Sequence, residues 1–219
     1  MNYLQELWAA LDFGSLRNIL LRLASVFLCL TTHETCHGLA ALALGDPTAK
    51  SMHRLSLNPL RHIDWLGLAL MFAAGFGWAK PVPVDPRYFK KPKQGMALTA
   101  LAGPVSNFVL ALLALLCARL VYHQYGALWD FIFDLLLTTA YLSVGLGLFN
   151  LIPISPLDGS KVLFVFLPDS AYEKLMRYEK YGMIALLILV WLGVGDNVLN
   201  TAIYNVYAAM INFVFRGIV

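Results

Sequence analysis

Residues 33–37 read His33-Glu34-Thr35-Cys36-His37, a polar pentapeptide set inside an apolar run that begins near Leu16 and continues to Leu44. Two histidines four apart lie on one face of a helix, so both imidazoles can hold one metal ion while Glu34 reaches a water beside it. Ionisable side chains at membrane depth cost free energy unless they are paired, coordinated or lining a wet cavity. The placement therefore implies a working site within a membrane helix.

Composition sets the scene around that helix. The 219 residues are 59% hydrophobic and 13% charged, with a mean hydropathy of +0.68. Several runs approach or exceed the roughly 20 apolar residues a bilayer crossing needs, so the expected fold is an all-α, polytopic helical membrane protein. The run around Leu16 is read as part of the mature chain, because it holds the candidate ligands and lacks a small-residue cleavage site after a short apolar core. Residues 1–15, with Trp8, Leu11 and Phe13, read as an interfacial amphipathic piece.

Working outward, the first span stops at Gly45-Asp46-Pro47, and a polar stretch follows with Lys50, His53, Arg54, Arg61 and His62. The run Trp65 to Trp78 is short and carries Gly67, Gly75 and Gly77; basic residues flank it on both sides, with Arg87, Lys90, Lys91 and Lys93 after it. Positive charge marks the cytoplasmic side, so the segment near residues 65–84 is expected to dip in and return as a re-entrant or β-hairpin-like piece. Further spans are expected at Gly95 to Val121 and Leu128 to Ile152. Residues 161–181 read as a charged cytoplasmic stretch, and Gly182 to Val194 and Val198 to Phe215 as a closing hairpin. The count is five to six crossings plus the re-entrant segment.

This topology puts the histidines and the inner end of the fourth apolar run toward the cytoplasmic face. There the chain reads Asn150-Leu151-Ile152-Pro153-Ile154-Ser155-Pro156-Leu157-Asp158-Gly159, and two prolines must break the helix. Freed carbonyls at depth need water or a polar site nearby. Asp158 is then the natural third ligand, and two histidines with one carboxylate leave the fourth tetrahedral position for water, the pattern of a catalytic zinc.

Five blocks together resemble the site-2 protease family of intramembrane zinc metalloproteases: His33 to His37, Asn58 to Asp64, Gly77 to Val84, Gly103-Pro104-Val105-Ser106-Asn107, and Asn150 to Gly159. They occur in order over roughly residues 20–165, and the compact prokaryotic members without PDZ or CBS domains are the nearest match. The resemblance implies a single membrane-embedded metalloprotease domain over 1–219, with a catalytic core at about 16–165 and peripheral helices at 166–219. It implies one zinc ion per chain on His33, His37 and Asp158, with Glu34 as general base and then acid. Asn150 matches the family asparagine that donates to the developing oxyanion or the substrate backbone. Asn107 resembles a position near the site and equally fits an interhelical hydrogen bond. Gly75, Gly77 and Trp78 match a loop that pairs with an unwound substrate by strand addition. The implied partners are the lipid bilayer and a transmembrane protein substrate already trimmed by another protease, in a prokaryotic plasma membrane.

Other readings are weaker. Cys36 stands close enough to both histidines for a thiolate to join a zinc shell, but a small apolar filler is the more ordinary role, as for Cys29 and Cys117. His62 falls in a family block and reads as a positioning residue, whereas His53 and His123 read as solvated. A membrane metal transporter would need ligands on several spans and no dedicated base, and a silent scaffold would not need the intact pentapeptide. The net charge of +3 and the basic loops follow from orientation in a membrane, so nucleic acid need not be invoked.

Overall fold

The computed structural model describes residues 16–67 and 80–216, apart from the side chains of residue 173 and residues 175–180. The amphipathic reading of residues 1–15 lies outside the described residues, as does most of the expected re-entrant segment, including Gly75, Gly77 and Trp78. The regular elements are all helical: α1 (Leu16–Ala43), α2 (Thr48–Ser51), α3 (Pro92–Val121), α4 (Ala127–Asn150), α5 (Asp158–Phe164), α6 (Asp169–Trp191) and α7 (Asp196–Val214).

Each boundary has a local cause. Helix α1 ends where Gly45 takes a φ of +105°, the left-handed conformation that closes a helix, and Asp46 N–H turns back to the Ala41 carbonyl at 2.9 Å. Helix α4 stops at Asn150, three residues before the first proline of the 150–159 stretch. Single turns of tighter helix at Pro59–Arg61 and Pro86–Tyr88 are capped by the Asn58 and Asp85 side chains, each accepting a backbone N–H two residues on.

Among the described residues, α1, α3 and α4 are each long and apolar enough to cross a membrane, and a fourth span is reached if Tyr181–Trp191 and Asp196–Val214 count as one. Those two segments meet at 85°, not as the antiparallel hairpin expected from the sequence. The charged stretch at 161–181 takes a regular form. Most of it is the first half of α6, which runs without a break into the apolar residues after Gly182. No proline interrupts that junction, and Glu, Lys, Leu, Met and Arg are good helix formers, so propensity carries the helix across the change in polarity.

The chain divides into two compact units. The described parts of Met1–Cys29, Asn107–Phe149 and Met183–Val219 form the first. Its centre is built from Ala111, Ala114, Leu115, Ala118, Ala140 and Val144, with Ile203, Val214 and Phe215 packed on them. Small residues let helix backbones approach closely, which is the main source of attraction between helices once lipid replaces water. Two hydroxyls inside this unit are paired: Thr139 donates to Ser25 Oγ at 2.9 Å, and Ser143 donates to the Asn107 backbone carbonyl at 2.8 Å. Nearer its surface, Arg17 pairs with Asp134 at 2.6 Å.

Leu30–Ser106 and Asn150–Gly182 form the second unit. Here the first turn of α3 is tied to the link between α5 and α6, because Lys93 donates to the Leu167 carbonyl at 2.8 Å, pairs with Asp169 and lies 5.1 Å from the Tyr172 ring centre. Gly38 of α1 allows a similar closeness, since a methyl group there would collide with Leu55.

Ala140 tests the packing of the first unit. It is fully buried, so Ala140→Leu should overpack the centre and destabilise it by roughly 1–3 kcal/mol, measured as a lowered unfolding midpoint in detergent.

Candidate metal centre

The site is built around one turn of α1, and four of the five pentapeptide side chains reach different segments of the second unit. His33 Nε2 lies 3.1 Å from Asp158 Oδ2, and His37 Nε2 lies 3.2 Å from the same oxygen. Glu34 Oε2 accepts the Val82 N–H at 2.8 Å. Thr35 Oγ1 donates to the Ser56 carbonyl at 3.0 Å. His37 Nδ1 meets the Thr99 carbonyl at 2.7 Å. Cys36 is half-buried and stands apart from the cluster that could hold a metal, which among the described residues is His33, His37 and Asp158.

Asp158 arrives there through the break after α4. Residues 151–157 turn over the two prolines and α5 starts at Asp158, with extended backbone at Leu157. Gly159 makes the crossing possible, because a methyl group at that position would collide with the carbonyls of Leu151 and Ile152. Burial alone would raise the pKa of the Asp158 carboxyl; hydrogen bonding to the two imidazoles outweighs it and holds the group well below the ordinary carboxylate range. It is thus an anion facing two ring nitrogens.

These donors fit zinc. Tetrahedral zinc with bonds of about 2.0–2.2 Å sets its ligand atoms roughly 3.3 Å apart, close to both observed nitrogen-to-oxygen separations. His37 Nδ1–H donates to the Thr99 carbonyl, so Nε2 is the nitrogen turned to the shared point, and its lone pair would become available to a metal ion that displaces the proton shared with Asp158. One ligand atom from each of the three residues lies within 4.8 Å of the others.

The other candidate residues fall in different places. Asn150 is the last residue of α4 and is half-buried. Asn107 belongs to the first unit, where it is fully buried and its carbonyl accepts Ser143. His62 is buried and its Nε2 donates to the Ser56 carbonyl at 2.7 Å, the same oxygen that Thr35 reaches, so it braces the loop beside α1. His53 is exposed and holds a left-handed φ of 53°.

Three contributors had no role at the site assigned from the sequence. Thr99 and Val82 act through backbone atoms, which leave no trace in residue type. Gly103 did carry a signal, since it opens the Gly103-Pro104 block, and its reason is spatial. A methyl group on it would collide with the rings of both His33 and His37. Gly103→Ala should therefore lower zinc content several-fold in a protein that still inserts and folds, read by elemental analysis of the purified variant.

Comparison with known proteins bears on this centre. The profile of Peptidase family M50 matches residues 120–193, a stretch that includes Asp158. "Putative zinc metalloprotease YwhC" of Bacillus subtilis is 40% identical over 174 residues, covering 77% of this chain and 79% of that protein. "Putative zinc metalloprotease Rip2" of Mycobacterium tuberculosis is 31% identical over 171 residues, covering 75% of this chain and 63% of that protein. Its namesake in Mycolicibacterium smegmatis is 28% identical over 177 residues, covering 78% and 66%. No solved structure matches the chain. With a relative this similar along most of both lengths, the chain belongs to peptidase family M50, the site-2 protease family, and is an integral membrane zinc metalloprotease.

Proposed function

We propose that this protein hydrolyses peptide bonds of transmembrane protein substrates within or beside the bilayer, as the proteolytic step of regulated intramembrane proteolysis. One observation carries the reading: two imidazole nitrogens and a buried carboxylate converge on one point, with Glu34 on the same helical turn, in a helix apolar enough to cross a membrane. His33, His37 and Asp158 are the ligands of one zinc ion. When bound, zinc supplies the Lewis acidity that makes a water molecule acidic near neutral pH and polarises the scissile carbonyl.

The chain's own residues do the rest. Glu34 takes the proton from the attacking water and later delivers it to the leaving amine. Asn150, closing α4 eight residues before Asp158, donates to the developing oxyanion or to the substrate backbone. Asn107 and the Gly75, Gly77 and Trp78 loop act on the substrate chain. A transmembrane helix hides its peptide bonds, so the substrate must be unwound, and strand addition to the loop near residues 65–84 is the device we assign to this. The whole chain acts as one domain, with its core at about 16–165, and crosses the membrane five to six times with that loop re-entrant. Basic stretches around it orient the site toward the cytoplasmic side of a prokaryotic plasma membrane. Trimming of the substrate by another protease comes first.

Reconstituted protein cleaving a single-span substrate should lose activity with 1,10-phenanthroline and regain it with added zinc. Glu34→Gln should keep its zinc and lose cleavage; normal turnover by that variant would refute the assigned base. Asn150→Ala should lower kcat about 100-fold, the usual cost of one oxyanion donor.

A further inference from the structure

The segment Lys80-Pro81-Val82-Pro83-Val84-Asp85 touches Glu34, and its chemistry is unusual. Proline fixes φ near −65°, and a residue preceding proline is held to extended conformations, so residues 80–83 are stiffened by two overlapping constraints. Neither proline has an N–H, so Val82 carries the one backbone donor between residues 81 and 83, and it is spent on the Glu34 carboxylate at 2.8 Å. Val82 is buried, which keeps water from competing for that bond.

Both ends of the segment are pinned. At its start, Lys80 N–H donates to the His62 carbonyl at 2.8 Å, and Arg54 Nη2 donates to the Lys80 and Pro81 carbonyls at 2.9 and 3.3 Å. At its end, Asp85 N–H donates to Asp46 Oδ2 at 2.7 Å. Asp46 is fully buried, and its other oxygen accepts Thr48 N–H at 2.9 Å, so the carboxylate is held on both sides. It also lies in the turn that ends α1, the helix carrying Glu34.

We propose that Pro81-Val82-Pro83 is a splint for the catalytic base. Val82 N–H holds one oxygen of Glu34 and leaves the other aimed at the attacking water, while Asp46 and Arg54 are positioning residues that hold the splint itself. Glutamate has three rotatable bonds before its carboxylate, and among the described residues the Val82 N–H is what restrains them. The proposal rests on Glu34 being the base.

The test replaces the Val82 amide by an ester, using nonsense suppression with the α-hydroxy analogue of valine; this deletes the N–H and keeps the side chain. Wild type, the ester variant, Asp46→Ala and Glu34→Gln are reconstituted with the same single-span substrate, and kcat, KM and zinc content are measured for each. The ester should lower kcat roughly 10- to 100-fold, the loss of a hydrogen bond to a charged group, with KM within twofold and zinc content unchanged. Asp46→Ala should move kcat in the same direction. An ester variant with kcat within twofold of wild type overturns the splint. So does a rise in KM alone, which would make the segment a substrate contact, and so does loss of zinc, which would make it a structural part of the metal centre. Normal turnover by Glu34→Gln would instead defeat the assignment of the base.

Discussion

Polar groups surrounded by apolar material must find partners, and in this protein that requirement is concentrated in one helical turn. His33, Glu34, Thr35 and His37 each bind a different stretch of chain: the carboxylate of Asp158, the N–H of Val82, the carbonyl of Ser56 and the carbonyl of Thr99. A side chain left unpaired there would bear the full cost of desolvation. The same bonds that relieve this cost gather the loops around α1, so the assembly of the second unit and the arrangement of its chemistry share one cause.

Close approach is the second condition, and glycine meets it. At Gly103 the backbone of α3 comes against both imidazoles, at Gly159 the chain passes over the Leu151 and Ile152 carbonyls just after α4, and at Gly38 a loop leucine sits against α1. At Gly103 and Gly159 a single methyl group has no room, whereas at Gly38 the end of the leucine side chain would have to turn aside. The first unit reaches closeness by other means, with alanine on α3 and α4 and hydroxyl pairs such as Ser25 with Thr139. That is the ordinary way helices associate where burial of apolar surface supplies little net drive.

What the sequence made legible is local. The helical character and membrane setting follow from long apolar runs, the stop of α1 from Gly45-Asp46-Pro47, and the end of α4 from Pro153 and Pro156. That His33 and His37 share a face needs only the pitch of a helix. What spacing left out is also physical. Charge marked residues 161–181 as a polar stretch without showing that their helix propensity joins them to the following apolar run, and the 85° bend before α7, where a hairpin was expected, depends on packing that no spacing encodes. The hold on Glu34 by Val82 was invisible because any residue but proline offers the same N–H.

The closeness at Gly103 has a pharmacological side. At Gly103 one side of the donor cluster is closed by main chain that has no side chain to move aside, so a compound directed at that cluster finds no give there. Discrimination among related enzymes would then depend on the remaining sides of the cluster, where side chains rather than main chain set the shape.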